Sequence, residues 1–133
     1  MFYVSGDIHG DVNKALAYCK KHSLNSDDTI ILLGDVGINY FGNENGDKDR
    51  KEALNMCGAK ILCIHGNHEM RPESISTYNR KKQYGGIVML EEEYPNITFA
   101  IDGEIYDIAG NKAIVIGGAY SVDKYYRIQR GLN

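Results

Sequence analysis

The sequence has 133 residues, of which 43% are hydrophobic and 25% are charged, and its formal net charge is −3. This composition excludes a mainly disordered chain and supplies enough apolar residues for one domain over 1–133. The acidic balance gives no basic footprint for nucleic acid, so no strong nucleic-acid signal is present. It argues against a non-specific duplex binder but not against an enzyme that acts on a phosphate inside a local cleft.

No segment has the features of a secretory signal or a membrane span. The first ten residues, MFYVSGDIHG, include neither a basic stretch nor a long apolar one. The longest purely apolar runs, such as 30–33, are far shorter than the roughly 20 residues of a membrane helix. Cys19, Cys57 and Cys63 show no CxxC spacing, which indicates reduced thiols. We therefore expect a cytoplasmic protein without a membrane partner.

The first half of the chain alternates apolar runs with helical patterns. Residues 2–5 predict a short strand, and the apolar spacing over 11–22 predicts an amphipathic helix. The next expected elements are a strand at 28–33, a Gly- and Asn-rich loop at 34–47, a second helix from about residue 50 to Gly58, and a strand at 61–64. This order is typical of a parallel α/β sheet with right-handed crossovers.

The second half shows a different pattern. A third helix is predicted around 73–82, and four strands are predicted at 87–90, 97–101, 104–108 and 112–116. The connectors Asp102-Gly103 and Gly110-Asn111 are typical of hairpin turns, so this half is expected to be antiparallel. Together the halves predict one α/β domain with a mixed sheet or two sheets.

Three polar clusters each follow a predicted strand. They are Gly6-Asp7-Ile8-His9-Gly10, Gly34-Asp35-Val36-Gly37 and Gly66-Asn67-His68-Glu69. In an open parallel sheet, ligands bind beyond the carboxyl ends of the strands. We therefore expect the three loops to meet at one edge of the sheet, where their glycines allow sharp turns.

The side chains of these clusters are suited to metal binding. Asp7 and Asp35 supply carboxylate oxygens, whereas His9 supplies an imidazole nitrogen and Asn67 an amide oxygen. Mixed nitrogen and oxygen ligands favour divalent transition metals such as Mn, Fe, Zn or Co over Ca. A central Asp35 would bridge two ions about 3.5–4 Å apart, an arrangement that holds a phosphate and activates water. His68 is left as a general acid or a phosphate-orienting group.

Two residues beside the third cluster each allow two interpretations. Arg71 would bind a phosphate through two guanidinium nitrogens, or it would form a surface salt bridge. His65 directly precedes Gly66 and would either line the site or bond to backbone as a strand-end histidine.

The motifs in this order resemble those of the calcineurin-like metallophosphoesterases, whose signature is Asp-x-His, then Gly-Asp, then Gly-Asn-His followed by Glu or Asp. The resemblance spans the chain, and the stretch IVIGGAYS at 114–121 is similar to bacterial members, which points to a bacterial or phage protein. It implies an α/β/β/α sandwich that hydrolyses phosphomonoesters or phosphodiesters with two divalent metal ions, drawn from Mn, Fe, Zn and Ni.

The resemblance also implies a role for each matching residue. Asp7 and His9 would bind one metal ion, Asp35 would bridge, and Asn67 would bind the other. We predict Asp35 and His68 as catalytic residues, with His68 helping to protonate the leaving group. The predicted substrate-binding residues are Asn67, His68 and Arg71.

The sequence departs from the family pattern in its histidines. The family pattern continues with a further His and a Gly-His-x-His segment that complete the metal shells. The four histidines here are His9, His22, His65 and His68, so none lies beyond position 68. We therefore expect only the N-terminal part of the sandwich, truncated at its C-terminal side, and one firmly bound metal ion or none in the isolated chain.

Two functional hypotheses follow. The first is a metal-dependent hydrolase of phosphate esters, on condition that a second copy or another chain supplies the missing histidines. The second is a half-fold with residual activity or none that acts as a protein-binding module. The apolar, β-branched strand at 112–116 would offer an edge for a homodimer or a partner chain.

Overall fold

The computed structural model of the protein describes residues 1–6, 8–39, 45–66 and 70–118. Within these ranges lie the helices α1 (Asn13–Lys21) and α2 (Asn45–Asn55) and a 3-10 turn at Pro72–Ser74. The strands are β1 (Phe2–Ser5), β2 (Thr29–Leu33), β3 (Lys60–Ile64), β4 (Tyr78–Gln83), β5 (Gly86–Glu91), β6 (Ile97–Ala100), β7 (Ile105–Ile108) and β8 (Asn111–Ile114).

Six of these strands form one mixed sheet in the order β1-β2-β3-β6-β5-β4. Strands β1, β2, β3 and β6 run parallel, whereas β5 pairs antiparallel with both β6 and β4. Strands β7 and β8 form a separate antiparallel hairpin. The predicted α/β class with a mixed or two-sheet arrangement is therefore confirmed.

A hydrophobic core fills each side of the six-stranded sheet. On one side Ala15 and Cys19, one turn apart on α1, and Leu54 of α2 pack against the sheet. On the other side Tyr106 of the β7–β8 hairpin is fully buried, accepts a hydrogen bond from Ile101 N–H and donates one to the Ile87 carbonyl. The layers are thus helices, main sheet and hairpin. In the described ranges neither helix is long and apolar enough to cross a membrane.

A buried ion pair joins α2 to Glu91, the last residue of β5. Lys51 Nζ lies 2.5 Å from Glu91 Oε1, and both residues are almost fully buried. Thr77 Oγ1 donates to the other carboxylate oxygen of Glu91 at 2.6 Å. The rings of Tyr78 and Tyr94 lie beside the ammonium group at 5.3 and 6.0 Å from their centroids.

The third helix predicted around 73–82 is wrong. This segment contains the 3-10 turn and strand β4, which pairs along its length with β5. Its Arg80, Lys81 and Lys82 favour a helix locally, but pairing with a neighbouring strand overrides this weak preference. All three are exposed on an edge strand, where charged side chains discourage pairing with other chains.

The second half is also not wholly antiparallel, because β6 pairs parallel with β3. The connector Asp102-Gly103 does not form a hairpin; there the chain passes from the main sheet to the hairpin sheet. The hairpin turn is formed by Ala109-Gly110, with φ of 52° and 82°, rather than by Gly110-Asn111. Two left-handed residues in a two-residue loop are typical of a type I′ turn.

Two further predicted boundaries shift. Helix α2 begins at Asn45, within the loop predicted at 34–47. The strand predicted at 112–116 is β8, which pairs with β7. Ile114 and Ile116 on this segment are 61% and 77% exposed. Pairing of this edge with a second copy or a partner chain stays a prediction.

Candidate active site

The carboxyl ends of β1, β2 and β3 lie side by side. Ser5 at the end of β1 pairs with Leu32 of β2, and Leu32 pairs with Cys63 of β3. The chain segments that follow these strands therefore leave the sheet at the same edge, as expected from the three clusters.

Backbone hydrogen bonds join the first cluster to the second. His9 N–H donates to the Asp35 carbonyl at 2.9 Å, and Gly10 N–H donates to the Val36 carbonyl at 2.8 Å. A Cβ at Gly37 would lie 2.3 Å from the Gly10 nitrogen. Only glycine therefore permits this approach, which brings His9 beside Asp35.

The segment 35–39, which begins in the second cluster, contacts the chain on both sides of residues 67–69. Before the third motif, a Cβ at Gly66 would lie 2.0 Å from Asp35 Oδ1, so the carboxylate rests directly against the glycine backbone. After the motif, Met70 N–H donates to the Asn39 carbonyl at 3.0 Å. Asn39 is itself fully buried, and its Nδ2 donates to Tyr78 Oη at 2.9 Å.

His9 and Asp35 adopt an unusual backbone conformation. Their φ values are 48° and 40°, in the left-handed region that side-chain-bearing residues seldom occupy. Such conformations cost of order 1 kcal/mol or more each and concentrate at functional sites. Both residues are predicted metal ligands, which agrees with that tendency.

The described ligands are consistent with a metal site open on one side. The Asp35 carboxylate belongs to a residue only 7% exposed, whereas His9 is exposed. A buried carboxylate is commonly paired or bound to metal, and Oδ1 of Asp35 lies against Gly66. The other predicted ligands, Asp7 and Asn67, and the predicted acid His68 lie outside the described residues. Within the described ranges no three His, Cys, Asp or Glu side chains form a metal-binding cluster.

Arg71 forms a weak surface ion pair. It is 59% exposed, and its Nη1 lies 3.6 Å from Asp102 Oδ2. The surface salt bridge, one of the two interpretations of Arg71, is thus observed. Phosphate binding by its exposed guanidinium stays a prediction.

Within the part of the chain that the structure describes, the His65 ring bonds to a carboxylate rather than to backbone. Its ring is buried, and Nε2 lies 2.9 Å from Asp102 Oδ2. Among the described residues Nδ1 has no hydrogen-bond partner. Gly117 and Gly118 pack so closely on this histidine that a Cβ at Gly118 would lie 3.0 Å from its Cε1 atom.

Asp102 is a residue that sequence reasoning assigned only to a turn. Its Oδ1 accepts Gly117 N–H at 2.7 Å, while Oδ2 accepts the His65 ring N–H. Burial raises its pKa, but the hydrogen bonds from Gly117 and His65 and the charge of Arg71 outweigh burial and hold the pKa below its ordinary value. The Asp102-Gly103 pair is typical of a turn, and this local pattern does not indicate that the carboxylate binds His65 and Gly117.

Arg50 of α2 was also missed. Its Nη1 donates to the Gly37 carbonyl at 2.9 Å. Its guanidinium carbon would lie 2.7 Å from a Cβ at Gly10, so the arginine covers the junction of the first two clusters. A lone arginine in a helix carries no sequence signal for such a contact.

Comparison with known proteins agrees with this geometry. A family model described as calcineurin-like phosphoesterase matches residues 1–133. No curated protein and no solved structure gave a match. Because the family model covers the whole sequence, the chain belongs to the calcineurin-like phosphoesterase family.

Proposed function

We propose that this protein hydrolyses phosphate esters, either monoesters or diesters, with divalent metal ions held by Asp7, His9, Asp35 and Asn67. The observation that carries the proposal is the position of Asp35. Its backbone carbonyl binds His9, and its carboxylate rests against Gly66, the residue before Asn67. Asp35 therefore contacts the loops of the other two motifs, one through its backbone carbonyl and one through its carboxylate. This central position supports a bridging ligand, and family membership supports a hydrolase.

The proposed roles of the residues follow from their chemistry. Metal ions bound there would polarise the phosphate and lower the pKa of a water molecule. His68 holds the proton that passes to the leaving-group oxygen. Arg71 binds the phosphate oxygens, and its 59% exposure leaves the guanidinium accessible to a substrate.

The ligand set also bears on how many ions the isolated chain holds. The proposed set contains a single imidazole, that of His9, and first-row transition metals favour more nitrogen ligands. We expect at most one firmly bound ion per chain, of the type Mn, Fe, Zn or Ni, unless a second copy or another chain adds histidines.

Free thiols at Cys19, Cys57 and Cys63 support a reducing compartment such as the cytoplasm.

The test uses p-nitrophenyl phosphate and bis(p-nitrophenyl) phosphate with the purified chain, with Mn²⁺ and with chelator. Hydrolysis should require Mn²⁺. Asp35→Ala should abolish both Mn²⁺ binding and turnover, whereas His68→Ala should lower turnover by about 10²–10⁴-fold with a smaller loss of Mn²⁺ affinity. His22→Ala, at an exposed helix end, is the matched control and should change neither.

Activity that survives Asp35→Ala would contradict the proposed centre. Equal losses of Mn²⁺ affinity and turnover in His68→Ala would instead move that histidine into the set of metal ligands.

A further inference from the structure

One carboxylate, that of Asp102, joins two segments that are distant in sequence, one around the third motif and one at Gly117. It lies between β6 and β7 and accepts hydrogen bonds from Gly117 N–H at 2.7 Å and from the His65 ring at 2.9 Å. Arg71 Nη1 approaches the same carboxylate at 3.6 Å.

Two of these partners lie on opposite sides of the third motif. His65 comes two residues before Asn67, and Arg71 comes three residues after His68. Asp102 therefore contacts one residue on each side of the 67–69 segment, two positions before it and two positions after it. We propose that Asp102 is a positioning residue that clamps the chain on both sides of the third motif, and that metal binding by this motif depends on the clamp. The consequence for catalysis rests on the proposed function above.

The surroundings of His65 explain how one side of the clamp holds. Gly117 and Gly118 pack against this residue: a Cβ at Gly117 would lie 2.7 Å from the His65 carbonyl oxygen, and one at Gly118 would lie 3.0 Å from Cε1 of the ring. Its Nε2 is bound to Asp102, which also binds the Gly117 amide. The carboxylate thereby fixes the ring and the segment that covers it together.

The structure contains a reporter for the other side of the clamp. Met70 directly follows the 67–69 segment, and its amide donates to the Asn39 carbonyl at 3.0 Å. Exchange of this amide with solvent requires local opening of the loop, so its rate measures how firmly the loop is held. The measurement needs neither metal nor substrate.

The decisive variant is Asp102→Asn, which keeps an oxygen for Gly117 N–H but removes the charge that faces His65 and Arg71. Its matched control is Asp107→Asn, because the exposed Asp107 also accepts a glycine amide, that of Gly110 at 3.0 Å. We expect Met70 amide exchange to accelerate about 10-fold in Asp102→Asn and to stay unchanged in Asp107→Asn. No acceleration, or the same acceleration in both variants, would overturn the clamp.

Mn²⁺ affinity separates positioning from general stabilisation. Replacing a group that orients metal ligands typically weakens metal binding by about 10–100-fold, so Asp102→Asn should weaken Mn²⁺ binding at least 10-fold well below its melting temperature. A lower melting temperature with unchanged Mn²⁺ affinity would show a merely structural role and overturn the proposal. If the wild-type chain neither binds Mn²⁺ nor hydrolyses esters, the proposed function fails, while Met70 exchange still decides the clamp.

A double-variant cycle tests the contribution of Arg71. If Asp102 acts partly through Arg71, Asp102→Asn should accelerate Met70 exchange less in an Arg71→Ala background than in the wild type. Full additivity would overturn the two-sided clamp. Arg71→Ala alone changes an exposed side chain, so it keeps the clamp testable even if Asp102→Asn does not fold.

Discussion

Substituting Gly66 by alanine should damage both the fold and the candidate site. The added Cβ would lie 2.0 Å from Asp35 Oδ1 and 2.1 Å from the Asp35 nitrogen. Real Cβ atoms essentially never approach other heavy atoms closer than 3.0 Å. The second and third motifs would therefore have to separate by about 1 Å or more, and the backbone nitrogen cannot swing aside as a flexible side chain would.

The magnitude follows from that displacement. Overpacking of this kind lowers the free energy of unfolding by about 1–3 kcal/mol. A shift of about 1 Å between reacting groups costs roughly 10²-fold in rate. Urea denaturation measures the first quantity, and Mn²⁺-dependent hydrolysis of p-nitrophenyl phosphate measures the second at a temperature where the variant is folded.

Gly6→Ala is the matched control. Gly6 precedes Asp7 as Gly66 precedes Asn67, but a Cβ there meets nothing within 4 Å, and its φ is not left-handed. The control should keep its activity and be as stable as wild type or more stable by about 0.4–1 kcal/mol. The reasoning is refuted if Gly66→Ala has the same free energy of unfolding and the same hydrolysis rate as the wild type. It is also refuted if both variants lose activity equally.

Three further outcomes can be measured on the same chain. Lys51→Ala removes the cation that faces the buried Glu91 carboxylate and should lower the free energy of unfolding by about 3–5 kcal/mol. If urea denaturation shows a decrease of less than about 1 kcal/mol, the role of the pair is contradicted. Ala109→Asn should raise the melting temperature, because residue 109 has the left-handed conformation of the first position of a type I′ turn. That conformation costs alanine about 1 kcal/mol, whereas asparagine tolerates it. An unchanged or lower melting temperature would argue against that turn. Burial and a hydrogen bond with Cys57 raise the pKa of Cys19 to about 12. Iodoacetamide at pH 8 should therefore leave Cys19 unmodified in the native protein and alkylate it in urea, as peptide mass mapping would show. Alkylation of the native protein at the rate of a free thiol would be inconsistent with this burial.

The sequence was most informative where the signals are local. The apolar run of β2 predicts a strand covered on both faces, and its Ile30, Ile31 and Leu32 are indeed buried. Each polar cluster follows such a run directly, so the order of strand and motif predicts that the loops meet. The contact of Gly66 with Asp35 confirms that meeting.

The failures arise where distant segments decide the outcome. Strand β4 has helix-forming side chains, yet pairing with β5 determines its structure. The partner of β3 is β6, which no local pattern can identify. Asp102 has the signature of a turn, while its main side-chain partner, His65, lies 37 residues earlier in the chain.

The parallel pairing of β6 with β3 has a consequence for synthesis on the ribosome. Once Ile64 has been added, more than thirty further residues must follow before β6 (Ile97–Ala100) is complete. At about 5–20 residues per second, the free edge of β3 waits for a few seconds. That strand contains Ile61, Leu62 and Cys63, all buried in the finished fold, so it is an apolar template for other nascent chains. Between the emergence of β3 and the arrival of β6, this edge is therefore open to pairing with other nascent chains.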